Sequence, residues 1–156
     1  MALVKKLLMV IGAVVVVLVA VLIWTARSSS HFKEEQEMFI TQFMSDLSKN
    51  WSIADVQDRL SNEFLQSRPP VEMDQAIHRL SPLGKLVSIQ DVELKLYSAG
   101  TTGKTGTFSF KAEYANGHAV ASMIVVDTGN GVRVQRLDIN PIEPPPGIKP
   151  QRDTPS

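Results

Sequence analysis

The sequence contains no cysteine, so disulfide bonds, thiolate metal ligands and cysteine nucleophiles are excluded. Aromatic residues make up only 6% of the chain, and there are three histidines. The formal net charge is zero, and the composition therefore gives no sign of the basic patch that is typical of nucleic-acid-binding proteins. A length of 156 residues fits one folded domain. We expect no nucleic-acid partner for this chain.

Hydrophobic residues are concentrated at the N-terminus, where they occupy 22 of the first 26 positions. Leu7–Trp24 carries no charge and, as a helix, would span roughly 27 Å, close to the hydrocarbon thickness of a bilayer. Lys5 and Lys6 precede this segment. Since lysine and arginine accumulate on the cytoplasmic side, the pattern predicts a single-pass anchor in the lipid bilayer, with the N-terminus in the cytoplasm and the rest outside.

A cleaved signal peptide is the alternative interpretation of this segment. Signal peptides have a shorter apolar region, of about 7 to 15 residues, followed by small residues at the cleavage site. Cleavage after Ala26 would place the bulky Trp24 where a small residue is expected. The sequence therefore favours a retained anchor.

Composition divides the chain into four parts. Residues 1–27 form the cytoplasmic N-terminus and the anchor, residues 28–32 a polar linker, and residues 33–140 an extracytoplasmic domain. Residues 141–156 contain six of the nine prolines, which predicts an extended, disordered tail that serves as a spacer. From residue 28 onward, thirteen basic residues stand against sixteen acidic ones, so the exported part is mildly acidic.

Three amphipathic helices are predicted between residues 33 and 84. Apolar residues recur with helical period over Lys33–Lys49, which predicts the first helix. Ser52 and Asp55 resemble a capping box and begin a second helix, which Pro69-Pro70 ends. A third, short helix follows, with Met73, Ile77 and Leu80 on one side.

After Gly84 the hydrophobic period changes to two, which predicts four antiparallel strands in sequential order. Asn116-Gly117 and Asn130-Gly131 lie between alternating runs and indicate tight hairpins. The apolar parity slips by one position near Gln90-Asp91 and again near Gln135-Arg136, which predicts a β-bulge at each place. The expected fold is α+β: a transmembrane helix, then three helices packed on a curved four-stranded antiparallel meander.

The third predicted strand is apolar on both faces, which is typical of a central strand with both faces covered. Helices would cover one face. The other cover stays open between a protein partner, a second copy of the chain and side chains of the neighbouring strands. The residues that we take as candidates for such an interface are Ala119, Ala121, Met123 and Val125, opposite a face with Val120, Ile124 and Val126.

Two short motifs resemble catalytic signatures but predict hairpins. Residues 98–105 differ from the phosphate-binding pattern G-x-x-x-x-G-K-[ST] by Ser98 in place of the first glycine, and Thr105 opens a strand where the pattern requires a helix. Asp127-Thr128-Gly129 copies the aspartic-protease triplet, but such an enzyme needs two carboxylates at one site. The histidines lack metal-ligand spacing. We expect no catalytic residue, cofactor or metal site, and a phosphate-binding enzyme at Lys104 is the least favoured function.

The order of helices followed by a meander resembles the nuclear transport factor two-like and cystatin-like α+β superfamily. The resemblance covers residues 39–140 and rests on the helical segments 39–47, 51–65 and 78–86 and the strands 108–126 and 132–141. It implies either an assembly domain or a small-molecule pocket between helices and sheet, as in isomerase-like and dehydratase members. The single-span arrangement is similar to envelope components of bacterial secretion systems, which implies a bacterial inner membrane and a periplasmic domain.

Two functions follow as hypotheses. The first is a non-enzymatic, membrane-anchored envelope protein whose extracytoplasmic domain mediates protein–protein interaction or self-association. The second is a ligand-binding or isomerase-like domain. Its pocket would be lined by Trp51, His78 and Tyr114.

Overall fold

The computed structural model describes residues 1–142, which form helices followed by one antiparallel sheet. The chain divides into two compact units, residues 1–35 and residues 36 onward. The tail predicted for residues 141–156 lies outside the described residues, except that Pro141 and Ile142 end the last strand. The elements are α1 (Ala2–Asn50), α2 (Asn62–Gln66), α3 (Pro70–His78), β1 (Leu86–Gly100), β2 (Gly103–Tyr114), β3 (Gly117–Asp127) and β4 (Val132–Ile142).

The first unit is helical and contains the apolar segment Leu7–Trp24. The described residues include one helix, α1, that is long and apolar enough to cross a membrane. The polar linker predicted for residues 28–32 is instead part of this helix. The hydroxyls of Ser29 and Ser30 donate to the carbonyl oxygen of Ala26 at 3.0 and 2.7 Å, and this bonding pattern is compatible with a continuing helix.

The second unit begins with the C-terminal part of α1, whose apolar stripe is buried. The predicted helical period is confirmed here, since Ile40, Phe43 and Leu47 are at most 1% exposed. The helix ends at Asn50, and Trp51 follows with a φ of 50° while its N–H donates to the carbonyl of Leu47 at 2.8 Å. A left-handed residue at this position is usually glycine. Tryptophan is held there because its ring is buried.

The predicted second helix is replaced by shorter elements. Two single turns of 3₁₀ helix, Ile53–Asp55 and Gln57–Arg59, precede α2, which has five residues. The predicted capping box does not form, because the Ser52 side chain makes no capping hydrogen bond. The Asp55 carboxylate instead accepts a hydrogen bond from the Asn50 amide at 2.9 Å.

Pairing with the sheet explains why a continuous second helix is absent. Leu60 is extended, with φ −94° and ψ 143°, and forms a parallel bridge with Val134 of β4. The N–H of Ser61 donates to the carbonyl of Val134 at 2.9 Å. The Ser61 hydroxyl then accepts from the N–H of Phe64 at 3.1 Å and caps α2. A long helix would sacrifice this contact with the strand edge.

The third predicted helix is confirmed as α3. Pro70 occupies its first turn, where the missing N–H is not needed. Met73 is buried, and Ile77 is partly exposed on the same side. A 3₁₀ turn, Ser81–Leu83, and Gly84 with a φ of 80° lead into the sheet.

The sheet has the predicted antiparallel order β1-β2-β3-β4. Both predicted bulges are confirmed. In β1 the register shifts between Gln90 and Glu93, and Asp91 has a φ of 53°. In β4 the extra residue is Gln135, because Arg136 pairs with Ile124 and Val134 pairs with Val125. Further register shifts in β1 were not expected.

The core lies between the helices and one face of the sheet. On that face β2 contributes Phe108, Phe110 and Ala112, all at most 1% exposed. The opposite face carries polar residues such as Ser109 and Lys111. These findings confirm the α+β class with a four-stranded antiparallel sheet, whereas sheet curvature stays a prediction.

Gly103 begins β2 in a conformation that only glycine adopts readily. Its φ is 132°, and a Cβ would lie 2.3 Å from the carbonyl oxygen of Asp127. We expect Gly103→Ala to lower the free energy of unfolding by at least about 1 kcal/mol, because φ is unsuitable and backbone atoms must shift. Gly100→Ala is the matched control, since a Cβ there meets nothing within 4 Å. Equal changes for both variants in urea unfolding would contradict this explanation.

Candidate binding site between α3 and β4

A cleft of about 440 Å³ lies in the second unit, with α2 and α3 on one side and β4 on the other. It is open to solvent at the sheet edge that β4 forms. The helices contribute mainly apolar side chains, and the strand contributes six consecutive residues. The lining comprises Phe64, Ser67, Arg68, Met73, Ala76, Ile77, Leu80 and residues 135–140.

The helical wall follows from the spacing of α3. Met73 and Ile77 are four residues apart and share one face of α3, and Leu80, two residues after the helix ends, continues that spacing; all three line the cleft. Ala76 also lines the cleft, and its small side chain leaves room there. Phe64 of α2 also lines the cleft and is 9% exposed. This wall offers apolar surface with few polar groups.

The strand wall combines apolar and charged residues in alternation. Leu137 and Ile139 are partly buried, and their partners across the ladder are the buried Met123 and Ala121. The neighbouring residues Arg136 and Asp138 are exposed, and their side chains form an ion pair of 2.8 Å. Because side chains alternate along a strand, the apolar pair faces the core side and the ion pair faces solvent.

The outer edge of β4 leaves backbone groups without partners. Val134 directs its carbonyl away from β3, to the N–H of Ser61. In a strand, the N–H and C=O groups of one residue point to the same edge, and those of the next residue point to the opposite edge. The extra residue Gln135 shifts this alternation by one position. Leu137 and Ile139 therefore present their N–H and C=O groups to the cleft. Within residues 1–142 no other backbone group pairs with them there.

Comparison with protein-family models, curated proteins and solved structures finds no match. The site is therefore assigned from its own geometry.

Two of the three predicted pocket residues lie together, but in the core. The rings of Trp51 and Tyr114 are 5.3 Å apart, and the residues are 4% and 3% exposed. The Trp51 indole N–H donates to the carbonyl of Gly84 at 3.1 Å. The Tyr114 hydroxyl has no hydrogen-bond partner among the described residues, and burial raises the pKa of this group. His78 is exposed at the end of α3.

None of these three residues lines the α3–β4 cleft. The residues that line the cleft could not be predicted from the sequence, because the cleft depends on where α2 and α3 lie against β4. One signal was present in the sequence: the parity slip at Gln135 marks the point where the free edge begins.

The predicted interface residues of β3 belong to the core. Ala119, Ala121, Met123 and Val125 are at most 1% exposed, so they offer no free surface. They are covered because they share a face of the sheet with the buried phenylalanines of β2. The accessible face of β3 is the other one, which carries Val120, Ser122, Ile124 and Val126.

The catalytic look-alike motifs form hairpins, as predicted. Residues 98–105 comprise the end of β1, the two-residue connection 101–102 and the start of β2. The Asp127 carboxylate accepts a hydrogen bond from the N–H of Gly129 at 2.9 Å, which stabilises the next turn. His31 lies 3.2 Å from Glu35, and His118 is exposed. The described residues contain no group of His, Asp or Glu suited to hold a metal ion.

A charged cluster connects α1 to the 3₁₀ turn before α2. Asp46 lies 2.8 Å from the ammonium of Lys49 and 2.9 Å from the guanidinium of Arg59, and it accepts hydrogen bonds from the Gln42 amide. Arg59 also lies over the ring of Phe43, 5.6 Å from its centre. Hydrogen bonds, from Lys49 first and then from Gln42 and Arg59, lower the pKa of Asp46 to about 2. This cluster is structural.

The cluster predicts a pH dependence of stability. The pKa of Asp46 is depressed below its ordinary value of 3.8, so the stabilisation is fully present above that value and is lost as pH falls toward 2. We expect Asp46→Asn to be less stable than the native chain at neutral pH and the difference to shrink across this acidic range. Urea unfolding at stepped pH measures it. Asp58→Asn is the control, since the Asp58 side chain is 84% exposed; a pH-independent gap for Asp46→Asn would contradict the assignment.

Proposed function

We propose that this chain is a non-enzymatic, membrane-anchored domain that binds a protein partner at the α3–β4 cleft. One observation carries the proposal: the cleft joins apolar helix surface to a strand edge with free N–H and C=O groups. Unpaired strand edges are templates for pairing with another chain. The anchor segment would hold this binding domain at a membrane surface.

The proposed location is the bacterial inner membrane, with residues 28–156 in the periplasm. Lys5 and Lys6 before the apolar segment support this orientation. The order of helices before a sequential meander is compatible with a nuclear transport factor two-like assembly domain. We propose that membership on the pattern of elements alone, and it carries no part of the binding argument.

Orientation is tested with a reporter that functions only outside the cytoplasm, such as alkaline phosphatase, fused after Ser156. We expect high reporter activity. Exchanging Lys5 and Lys6 for glutamate while introducing lysines after Trp24 is expected to lower it, because positive charge determines the cytoplasmic side. High activity of a cytoplasmic reporter at the same position would reverse the orientation.

Binding at the cleft is tested with a photo-crosslinking amino acid in the full-length chain in cells. Asn140 lines the cleft at the sheet edge, whereas Lys111 is exposed in β2, two strands away from that edge. We expect one defined crosslinked protein with the probe at Asn140 and none with the probe at Lys111. Ala76→Trp, which fills the helical wall, is expected to abolish the product. Equal capture at both positions, or capture insensitive to Ala76→Trp, would refute the proposal.

A small-molecule binder is the second candidate function. The cleft volume of about 440 Å³ lies within the range of ligand pockets, roughly 300 to 1,000 Å³. The polar groups Arg68 and Gln135 would then orient the ligand. A ligand that binds the purified chain, protects it from thermal unfolding and is excluded by Ala76→Trp would favour this function, provided that no protein is crosslinked at Asn140.

A further inference from the structure

We infer that the occupant of the cleft is an extended peptide segment of another protein, which adds to β4 as a fifth strand along Gln135–Asn140. This inference rests on the proposed function and names its ligand. Four observations support it: the partial covering of the β4 edge, the spacing of its free backbone groups, the apolar wall beside it and the charge of the cleft.

A segment of the chain itself pairs with this edge at one residue and then turns away from it. Leu60 pairs with Val134, and Ser61 donates to the Val134 carbonyl, before the capped start of α2 turns the chain away. From the bulge at Gln135 onward, no backbone group among the described residues forms a hydrogen bond with this edge of β4. Beyond Val134, the edge of β4 is therefore free to pair with a strand from another molecule.

The free groups match the main chain of an extended segment. Leu137 and Ile139 each offer one N–H and one C=O, and these residues are separated by two positions, about 6.6 Å along a strand. An extended peptide repeats its own donors and acceptors with this spacing. A compact small molecule does not. The main chain is consequently the ligand that satisfies the edge most completely.

The cleft accommodates alternate side chains of such a strand. Residues of the added strand that face the core side would lie between Leu137 or Ile139 and the α3 wall. That wall is formed by Met73, Ala76 and Ile77. Two medium-sized apolar side chains, such as valine or leucine, fit this environment, while the intervening side chains face solvent and are unrestricted. The preferred segment has alternating apolar residues.

Charge favours an acidic segment over a second copy of the chain. The lining contains two arginines and one aspartate. Arg136 is paired with Asp138, whereas the exposed Arg68 has no ion pair or hydrogen bond within residues 1–142. Two copies meeting edge to edge would bring two positively charged linings together. A peptide with an aspartate or glutamate at one end of the alternating stretch complements Arg68.

The test uses full-length chain in lipid nanodiscs and the peptide acetyl-Asp-Val-Thr-Val-Thr-Val-amide as the probe. We expect saturable binding at up to millimolar concentration. Amide hydrogen exchange of Leu137 and Ile139 should be fast in the free chain and slow at least about tenfold on binding, because the peptide covers these N–H groups. Amide exchange at Arg136 and Asp138, whose backbone N–H groups point to β3, should change little.

Matched variants separate strand addition from other binding. The same peptide with N-methyl groups on its valines cannot donate from those residues and should bind at least about tenfold more weakly. Ala76→Trp should weaken binding similarly. Gln75→Trp, one position away and exposed outside the lining, should not. Lysine in place of the aspartate of the probe should weaken binding, and Arg68→Ala should remove that difference.

Three results would overturn the inference. They are no saturable binding, equal affinity of the N-methylated probe, and binding without protection of Leu137 and Ile139. Concentration-dependent protection of these amides without peptide would assign the edge to a second copy instead. The proposed function would survive each result if the crosslink at Asn140 persists and remains sensitive to Ala76→Trp, so the two claims fail separately.

Discussion

Replacing Phe110 by alanine is expected to lower the free energy of unfolding by about 3 to 5 kcal/mol. Phe110 is 1% exposed at the centre of β2, where it pairs with Ala121 of β3. The small partner cannot expand into the space, so the substitution leaves a cavity in addition to removing buried apolar surface. Urea unfolding of the native chain and the variant, under identical detergent conditions, measures the difference.

The adjacent residue provides the control. Lys111 is 63% exposed, and its ion pair with Asp91 lies in solvent. Exposed pairs contribute little, and Lys111→Ala should therefore change the free energy of unfolding by no more than about 0.5 kcal/mol. Comparable losses for the two variants would mean that the face assignment of β2 is wrong.

Deletion of residues 2–27 is expected to move the protein from the membrane fraction to the soluble fraction. These residues contain the segment Leu7–Trp24, whose large apolar side chains are all exposed. Exposed apolar surface of this extent is stable in hydrocarbon and unfavourable in water. We expect the full chain to resist extraction by high salt and alkaline carbonate and the truncated chain to remain in solution.

The mass of the mature protein distinguishes an anchor from a signal peptide. A retained anchor predicts an intact N-terminus, apart from removal of the first methionine. Cleavage near Ala26 would yield a soluble product without any engineered deletion. Val16→Asp is a further variant: a charge at the middle of the segment costs about 2.5 to 3.5 kcal/mol in membrane insertion. Membrane association that is unchanged by the deletion of residues 2–27 and by Val16→Asp would contradict the prediction of an anchor.

Local sequence patterns were sufficient to predict the sheet. Hydrophobic alternation fixes which face of a strand is buried, and a slip of one residue has one structural solution within a continuous strand, the bulge. That is why the positions of Gln135 and Asp91 could be read from the sequence. The two Asn-Gly pairs also indicated where two of the hairpins lie: the connections are residues 115–116, directly before Gly117, and residues 128–131.

The second helix could not be predicted because a tertiary contact overrides its local preference. Residues 52–66 have a helical hydrophobic pattern, but Leu60 becomes extended to pair with Val134, which lies more than seventy positions later in the sequence. The candidate site could not be predicted for the same reason, its dependence on tertiary packing. Its walls come from α3 and β4, and the distance between them is determined by packing rather than by any motif.

The free edge of β4 also limits how far intermolecular pairing proceeds. Exposed strand edges promote sheet growth from molecule to molecule, and proteins interrupt such edges with bulges, charges and proline. Here Gln135 bulges at one end and Pro141, which has no N–H, lies at the other, with Arg136 and Asp138 between them. An added strand can therefore pair over only a few residues. We therefore expect that pairing at this edge does not extend into fibrils.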